Sequence, residues 1–155
     1  MSLGDFFVVN ANSCSKPNRY QTKAANTAIN PGEMVILGTG GDAEYVTTIA
    51  NGASDTADWV GVASTMDTVT SSDDGEVWVW DDISSMVIRG KATTPSNLSS
   101  TSLLTKVTFD VSSELQTLDE NDTSSGVARI IDYDKEAQTP SWVDFKLDIA
   151  DSIQA

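Results

Sequence analysis

Short runs in which apolar and polar residues alternate are the clearest signal in the chain, and two of them lie in its second half. The segments 106–111 and 142–149 each place an apolar side chain at every second position. These positions are Val107, Phe109 and Val111 in the first run, and Val143, Phe145, Leu147 and Ile149 in the second. A period of two with one apolar face predicts a half-buried β-strand. The run 126–133 precedes the last strand by a loop containing Pro140, which predicts a closing antiparallel pair.

Further β runs, separated by Gly, Asp, Asn and Ser, fill the middle of the chain. They span residues 32–38, 44–50, 58–64, 75–80 and 85–91. The glycines of segment 38–42 predict a tight turn, because glycine tolerates positive φ. No helical apolar stripe is present, and only a short helical turn around 96–104, capped by Ser96, is predicted. The pattern predicts an all-β fold, a small antiparallel β-barrel or sandwich of about 8–10 short strands with an extended N-terminal arm.

The arm is predicted from the N-terminal part of the sequence, which differs from the rest. Residues 10–30 are polar and carry few large apolar side chains, and the apolar tetrapeptide 6–9 precedes them. A polar segment of this length in a compact domain is usually disordered or functional. We expect residues 1–30 to form the arm and residues 31–155 a single β domain. The tetrapeptide either adds a strand to the core or docks on a neighbouring molecule.

Charge and composition argue against several classes of partner and of chemistry. The formal net charge is −14, with 9 basic residues scattered singly among 23 acidic ones. Binding to nucleic acid requires clustered Lys and Arg, so we expect neither nucleic acid nor an anionic membrane as a partner. The chain has no histidine and one cysteine, Cys14, which we expect to be an inert thiol. We also expect no secretory signal, because the N-terminus has no basic region and only four consecutive apolar residues, and no membrane span, because no window approaches roughly 18 apolar residues.

Acidic clusters are the main candidates for chemistry, and none has the spacing of a known site. The segment 71–76 lacks the ligand pattern of a calcium loop, and the Gly-rich segment 38–44 is not repeated. Asp81 and Asp82 raise the possibility of glycoside hydrolysis, which needs two carboxyl groups facing one bond. Adjacent residues point to opposite faces if the strand continues, and both are solvated if a turn begins. We therefore expect no enzyme activity, no cofactor and no metal.

Two tryptophans in the strand predicted at 75–80 raise a different possibility. Trp78 and Trp80 share one face of this strand, and Val77 and Val79 share the other. A strand that is apolar on both faces is either central in a two-layer core or covered on one face by a partner. Both alternatives stay open at this point. Candidate residues of a partner interface are Phe6, Phe7, Arg19, Tyr20, Trp78 and Trp80.

The order of these motifs resembles the capsid decoration, or cement, proteins of tailed bacteriophages. The resemblance covers residues 22–150 and rests on three runs, "TKAANTAINPGEMVILGTGGDAEYVTTIANGASDTADWVGVAS", "VIRGKATTPSNLSSTSLLTKVTFDVSSELQTL" and "GVARIIDYDKEAQTPSWVDFKLDI". It implies a structural virion protein, made in the bacterial host cytoplasm, that binds the outer surface of a capsid. There it would stabilise contacts between major capsid subunits as a homo-oligomer, commonly a trimer.

Two alternatives to a decoration protein remain. A carbohydrate- or receptor-binding β module would use Trp78, Trp80, Trp59 or Trp142 as stacking platforms. Another virion component, such as a tail or connector subunit, would share the β architecture. Whether the chain is found on a phage particle, and on which surface of it, distinguishes these three functions.

Overall fold

Two antiparallel β-sheets that pack face to face make up the protein, as a computed structural model describes it for residues 6–11, 15–83, 85–113 and 115–149. The strands in these residues are β1 (Phe7–Asn10), β2 (Asn18–Thr22), β3 (Met34–Leu37), β4 (Val46–Thr48), β5 (Trp59–Ala63), β6 (Gly75–Trp80), β7 (Val87–Gly90), β8 (Lys106–Ser112), β9 (Leu115–Asp119), β10 (Ala128–Tyr133) and β11 (Val143–Leu147). The prediction of an all-β barrel or sandwich is confirmed as a sandwich, since the two sheets formed by the described residues do not close into a barrel, and these residues form 11 strands instead of the expected 8–10.

The first sheet has six strands in the order β1-β7-β11-β10-β8-β9. Its centre is the antiparallel pair β10–β11, in which Ile130 lies opposite Phe145. This pair confirms the closing pair predicted from alternation. The second sheet has five strands in the order β2-β6-β5-β3-β4. Strand β1 and strands β7–β11 thus form the first sheet, and all five strands of the second sheet lie between them in the sequence.

The main core lies between the sheets and is centred on four aromatic rings. Phe6, Phe109 and Phe145 meet edge to face with ring centroids 5.3–5.5 Å apart, and Trp59 lies 5.4 Å from Phe109. All four are fully buried. Edge-to-face contacts add to the free energy gained from burying these large rings. The main core therefore joins the N-terminal residues to strands from both sheets.

A second apolar cluster lies on the other face of the second sheet. Its buried members are Ile29, Val35, Val46, Val60, Ala63, Val77 and Val79. The ring of Tyr20 packs against them, and the two outer strands of this sheet, β2 and β4, approach each other. The sheet therefore curls around the cluster, which explains how a small domain can bury both faces of one sheet.

The N-terminal segment is built into the sheets instead of extending from them as an arm. Strand β1 pairs with β7, so the tetrapeptide 6–9 adds a strand to the domain, one of the two alternatives considered for it. Strand β2, which lies within the expected arm, pairs with β6 over five residues. The expectation of an extended arm is therefore wrong for these two segments. The polar composition of β2 hid this strand, because it is an outer strand with one side open to solvent. Strand β1 is largely apolar, and its sequence leaves only its place in the sheet open.

The short helical turn predicted around 96–104 consists of two 3₁₀ turns, Pro95–Asn97 and Ser100–Ser102. Ser99, and not Ser96 as predicted, stands before the second turn, and its N–H donates to the Oγ of Ser102. No helix in the described part of the chain is long and apolar enough to cross a membrane.

Candidate functional site

Strand β6 is apolar on both faces, and the structure covers its two tryptophans to different extents. Val77 and Val79 are fully buried in the second cluster. On the opposite face, Trp80 is half-buried and packs against the main core. Trp78, two residues back along the strand, is 43% exposed. The core alternative is therefore confirmed for Trp80, whereas the ring of Trp78 lies partly in solvent and its burial by a partner stays a prediction.

Arg19 extends the exposed face around Trp78. It lies directly opposite Trp78 in the β2–β6 pair, so the two side chains project to the same side. The side chain of Arg19 is 61% exposed, and its Nη1 lies 3.3 Å from Oε2 of Glu76. An exposed pair of this kind contributes little to folding stability. The guanidinium therefore remains accessible to a partner that contacts Trp78.

A groove next to Trp80 leads from this face to strand β1. It has a volume of about 140 Å³, and Phe7, Val8, Pro31, Ser64 and Trp80 are among the residues that line it. Phe7 is 47% exposed, on the side of β1 that faces away from the core. We call Phe7, Arg19, Trp78 and Trp80 the aromatic surface. It combines large rings, one cation and an adjacent groove, which is the composition typical of the centre of a protein interface.

Two of the six predicted interface residues do not belong to this surface. Phe6 is fully buried, and its ring contacts Phe109 and Phe145 in the main core. Tyr20 points to the opposite face of β2 from Arg19, where its ring packs against the second cluster and its hydroxyl donates to Asp81 at 2.6 Å. Burial first, and then the hydrogen bond to Asp81, raises the pKa of Tyr20 above the usual range. Both residues stabilise the fold.

The acidic pair after β6 holds the N-terminal part of the chain in place. The strand ends at Trp80, as predicted, but Asp81 is only 7% exposed, so the solvated alternative is wrong for this residue. Its carboxylate accepts hydrogen bonds from Asn18 Nδ2 at 2.9 Å and from the Tyr20 hydroxyl. Asp82 accepts one from Ser15 Oγ at 2.7 Å. These contacts place both carboxylates against strand β2 and the residues before it.

The other tryptophans offer less ring surface to a ligand. Trp59 is fully buried, and its Nε1 donates to the carbonyl of Ser54 at 3.0 Å. Trp142 is half-buried, and the guanidinium carbon of Arg89 lies 3.9 Å from its ring centroid. Arg89 also donates two hydrogen bonds to the carboxylate of Asp144, at 2.7 and 2.8 Å. Trp78 is thus the strongest candidate for stacking among the four.

Within the described residues, no group of three or more Cys, Asp or Glu side chains is placed to hold a metal ion. Cys14 lies outside these residues. No family model, curated protein or solved structure matches the chain.

Proposed function

We propose that the protein is a structural virion component that binds the outer surface of a phage capsid and stabilises contacts between major capsid subunits. The observation that carries this proposal is the exposed ring of Trp78 beside Arg19, on the face of β6 opposite the buried Val77 and Val79. Tryptophan and arginine are the residues most enriched in the energetic centres of protein interfaces. The site offers a surface for contact with a protein, and the all-β sandwich supplies a rigid support for it.

Two further observations support the capsid as the partner. The order of the motifs between residues 22 and 150 resembles that of decoration proteins. The net charge of −14 suits a position on the outside of the shell, separated from packaged DNA. The proposal includes assembly in the bacterial host cytoplasm and a homo-oligomer, a trimer, on the capsid.

Reconstitution with Trp78 variants tests the proposal. Phage particles from the source of the chain are stripped of this protein, incubated with purified wild-type protein, Trp78→Phe or Trp78→Ala, and heated while DNA release is followed. We expect the wild-type protein to raise the temperature of DNA release. Trp78→Ala should bind at least about 30-fold more weakly, the equivalent of a hot spot of about 2 kcal/mol.

Controls separate loss of contact from loss of folding. The ring of Trp78 is exposed, so Trp78→Ala should melt within a few degrees of the wild-type protein, and Trp78→Phe should retain part of the binding. Glu136→Ala, an exposed residue in the turn after β10, serves as a neutral substitution. An unchanged release temperature after addition of wild-type protein would remove the stabilising role.

A carbohydrate-binding module is the second candidate, because Trp78 is flanked by Arg19 and Glu76. An exposed ring with hydrogen-bonding groups at its edge is an arrangement that can stack against a sugar and fix its hydroxyls. Titration of the tryptophan fluorescence with a panel of glycans tests this alternative. A saturable change that Trp78→Ala abolishes would favour the sugar over the capsid.

A further inference from the structure

Three cations line up across the outer face of the first sheet. Arg129 on β10 lies directly opposite Lys106 on β8 and directly opposite Lys146 on β11. Residues opposite each other in antiparallel strands project to the same face. The preceding or following residues in each strand are buried in the core, so the three cations point outward. With neighbouring strands about 4.8 Å apart, the row is about 10 Å long.

This cationic row (Lys106, Arg129 and Lys146) reverses the local charge of a strongly acidic protein. Like charges directly opposite each other in a sheet destabilise the pairing. Arg129 is partly neutralised by Asp148, whose Oδ2 lies 2.6 Å from its Nε. Neither Lys106 nor Lys146 forms an ion pair within the described residues. The row thus carries an excess of positive charge that the ion pairs of the described residues do not neutralise.

Leu104 adds an exposed apolar side chain to the end of the row. Its carbonyl accepts a hydrogen bond from Arg129 Nη1 at 2.7 Å, and its N–H donates to the carbonyl of Ile130 at 2.7 Å. These bonds hold Leu104 at φ 66°, in the left-handed region that glycine and asparagine prefer. The side chain is 66% exposed, so burial of its apolar surface does not offset the free-energy cost of this backbone conformation.

We infer that the cationic row and Leu104 form a second docking surface, which binds a carboxylate-bearing surface of the capsid subunit with Leu104 seated in an apolar recess. The inference rests on the proposed function, since a protein that stabilises contacts between two subunits needs a second surface besides the aromatic one. Charge complementarity selects carboxylates as the partner groups. The apolar Leu104 favours a protein over a nucleic acid, which the net charge of −14 also repels.

Substitutions of the row and of Leu104 test the surface on intact particles. Leu104→Gly relieves the left-handed backbone, so its melting temperature should equal or exceed that of the wild-type protein, while its affinity for the particle should fall about 5- to 30-fold. Lys146→Glu should weaken binding by a similar factor and reduce the dependence of the affinity on salt. Lys91→Glu, an exposed lysine outside the row, makes the same charge change and should bind like the wild-type protein.

Carbodiimide cross-linking identifies the partner groups directly. The reagent activates a carboxylate, and a lysine amine then displaces the reagent as its urea and forms an amide bond. We expect Lys106 and Lys146 to be joined to Asp or Glu residues of the capsid subunit. Cross-links only to a second copy of this chain, or binding that nuclease treatment abolishes, would overturn the inference. If the wild-type protein binds the particle and Leu104→Gly and Lys146→Glu bind equally well, this second docking surface is overturned but the proposed function is not. If the wild-type protein does not bind the particle, the proposed function is overturned as well.

Discussion

Asp81 shows how a single buried carboxylate ties the N-terminal strand to the domain. It accepts hydrogen bonds from Asn18 and Tyr20 of β2, although it follows β6 in the sequence. A buried carboxylate is tolerated only when hydrogen bonds replace its hydration, and here both donors come from the same outer strand. The contacts therefore stabilise Asp81 and fix the position of β2 together.

The raised pKa of Tyr20 predicts a loss of stability at alkaline pH. Burial, and secondly the hydrogen bond to Asp81, disfavours the phenolate in the folded state, whereas the unfolded chain ionises near the usual value of about 10. The stabilising contribution is therefore complete below pH of about 10 and is lost as the pH rises further. Urea unfolding between pH 8 and 11.5 should show a falling free energy of unfolding. Tyr20→Phe should flatten this fall, and an unchanged slope in that variant would contradict the assignment to Tyr20.

Gly90 is needed because the ring of Phe6 occupies the space where a side chain would begin. A Cβ at position 90 would lie 2.0 Å from Cδ1 of Phe6. Gly90→Ala must displace the ring, and overpacking of this kind costs about 1–3 kcal/mol. Calorimetry should show a melting temperature lower by about 2–4 °C per kcal/mol. Gly41→Ala is the matched control, because nothing lies within 4 Å of a Cβ there, and an equal loss in both variants would refute the role of Phe6.

Strand β9 joins the sheets through one side chain, that of Gln116. The Oε1 of Gln116 accepts the N–H of Met34 at 2.6 Å, and its Nε2 lies 3.3 Å from the carbonyl oxygen of the same residue. Gln116 thus satisfies the backbone of β3 as a neighbouring strand would, from the opposite sheet. Buried backbone groups need such partners, because an unpaired polar group in the core costs free energy.

Gln116→Ala should leave the backbone of Met34 unpaired and lower the free energy of unfolding by about 1–3 kcal/mol. Gln21→Ala, an exposed glutamine on β2, removes the same side chain without removing a buried contact and should change stability by less than about 0.5 kcal/mol. Chemical denaturation of both variants measures the difference. Equal stability of the two would mean that water satisfies Met34 equally well.

The strands that the sequence predicts are those whose burial produces an apolar pattern. β6 matches its predicted run closely, and β10 and β11 follow from alternation and the intervening loop. β2 and β9 were missed because their residues are mostly polar and their buried contacts depend on partners distant in the chain, such as Asp81 and Met34. The aromatic surface was predicted in part, since spacing places Trp78 and Trp80 on one face but does not reveal which ring is covered.

At the scale of the whole molecule, the cationic row contrasts with the acidic character of the chain. The chain carries a net charge of −14, yet bases that are scattered in the sequence come together in the cationic row once strands β8, β10 and β11 pair. Sequence composition alone cannot show this, because it depends on register. Arg19, Trp78 and Trp80 of the aromatic surface lie on the second sheet, whereas Phe7 and the cationic row lie on the first.

The proposed trimer is expected to form on the capsid and not in the free protein. Because the copies repel one another through their net charge, we expect the free chain to be largely monomeric at low salt and to assemble on the particle. Light scattering coupled to size-exclusion chromatography, between 20 and 500 mM salt, measures the mass. A stable trimer at low salt would contradict the role assigned to repulsion.

A cryo-electron microscopy reconstruction of the particle from the source of the chain tests the central claim most directly. The claim predicts density for this protein on the outer surface of the shell, at the contact between neighbouring major capsid subunits, with Trp78 buried against one of them. Absence of the protein from the particle, or its presence only in the tail, the connector or the interior, would contradict it.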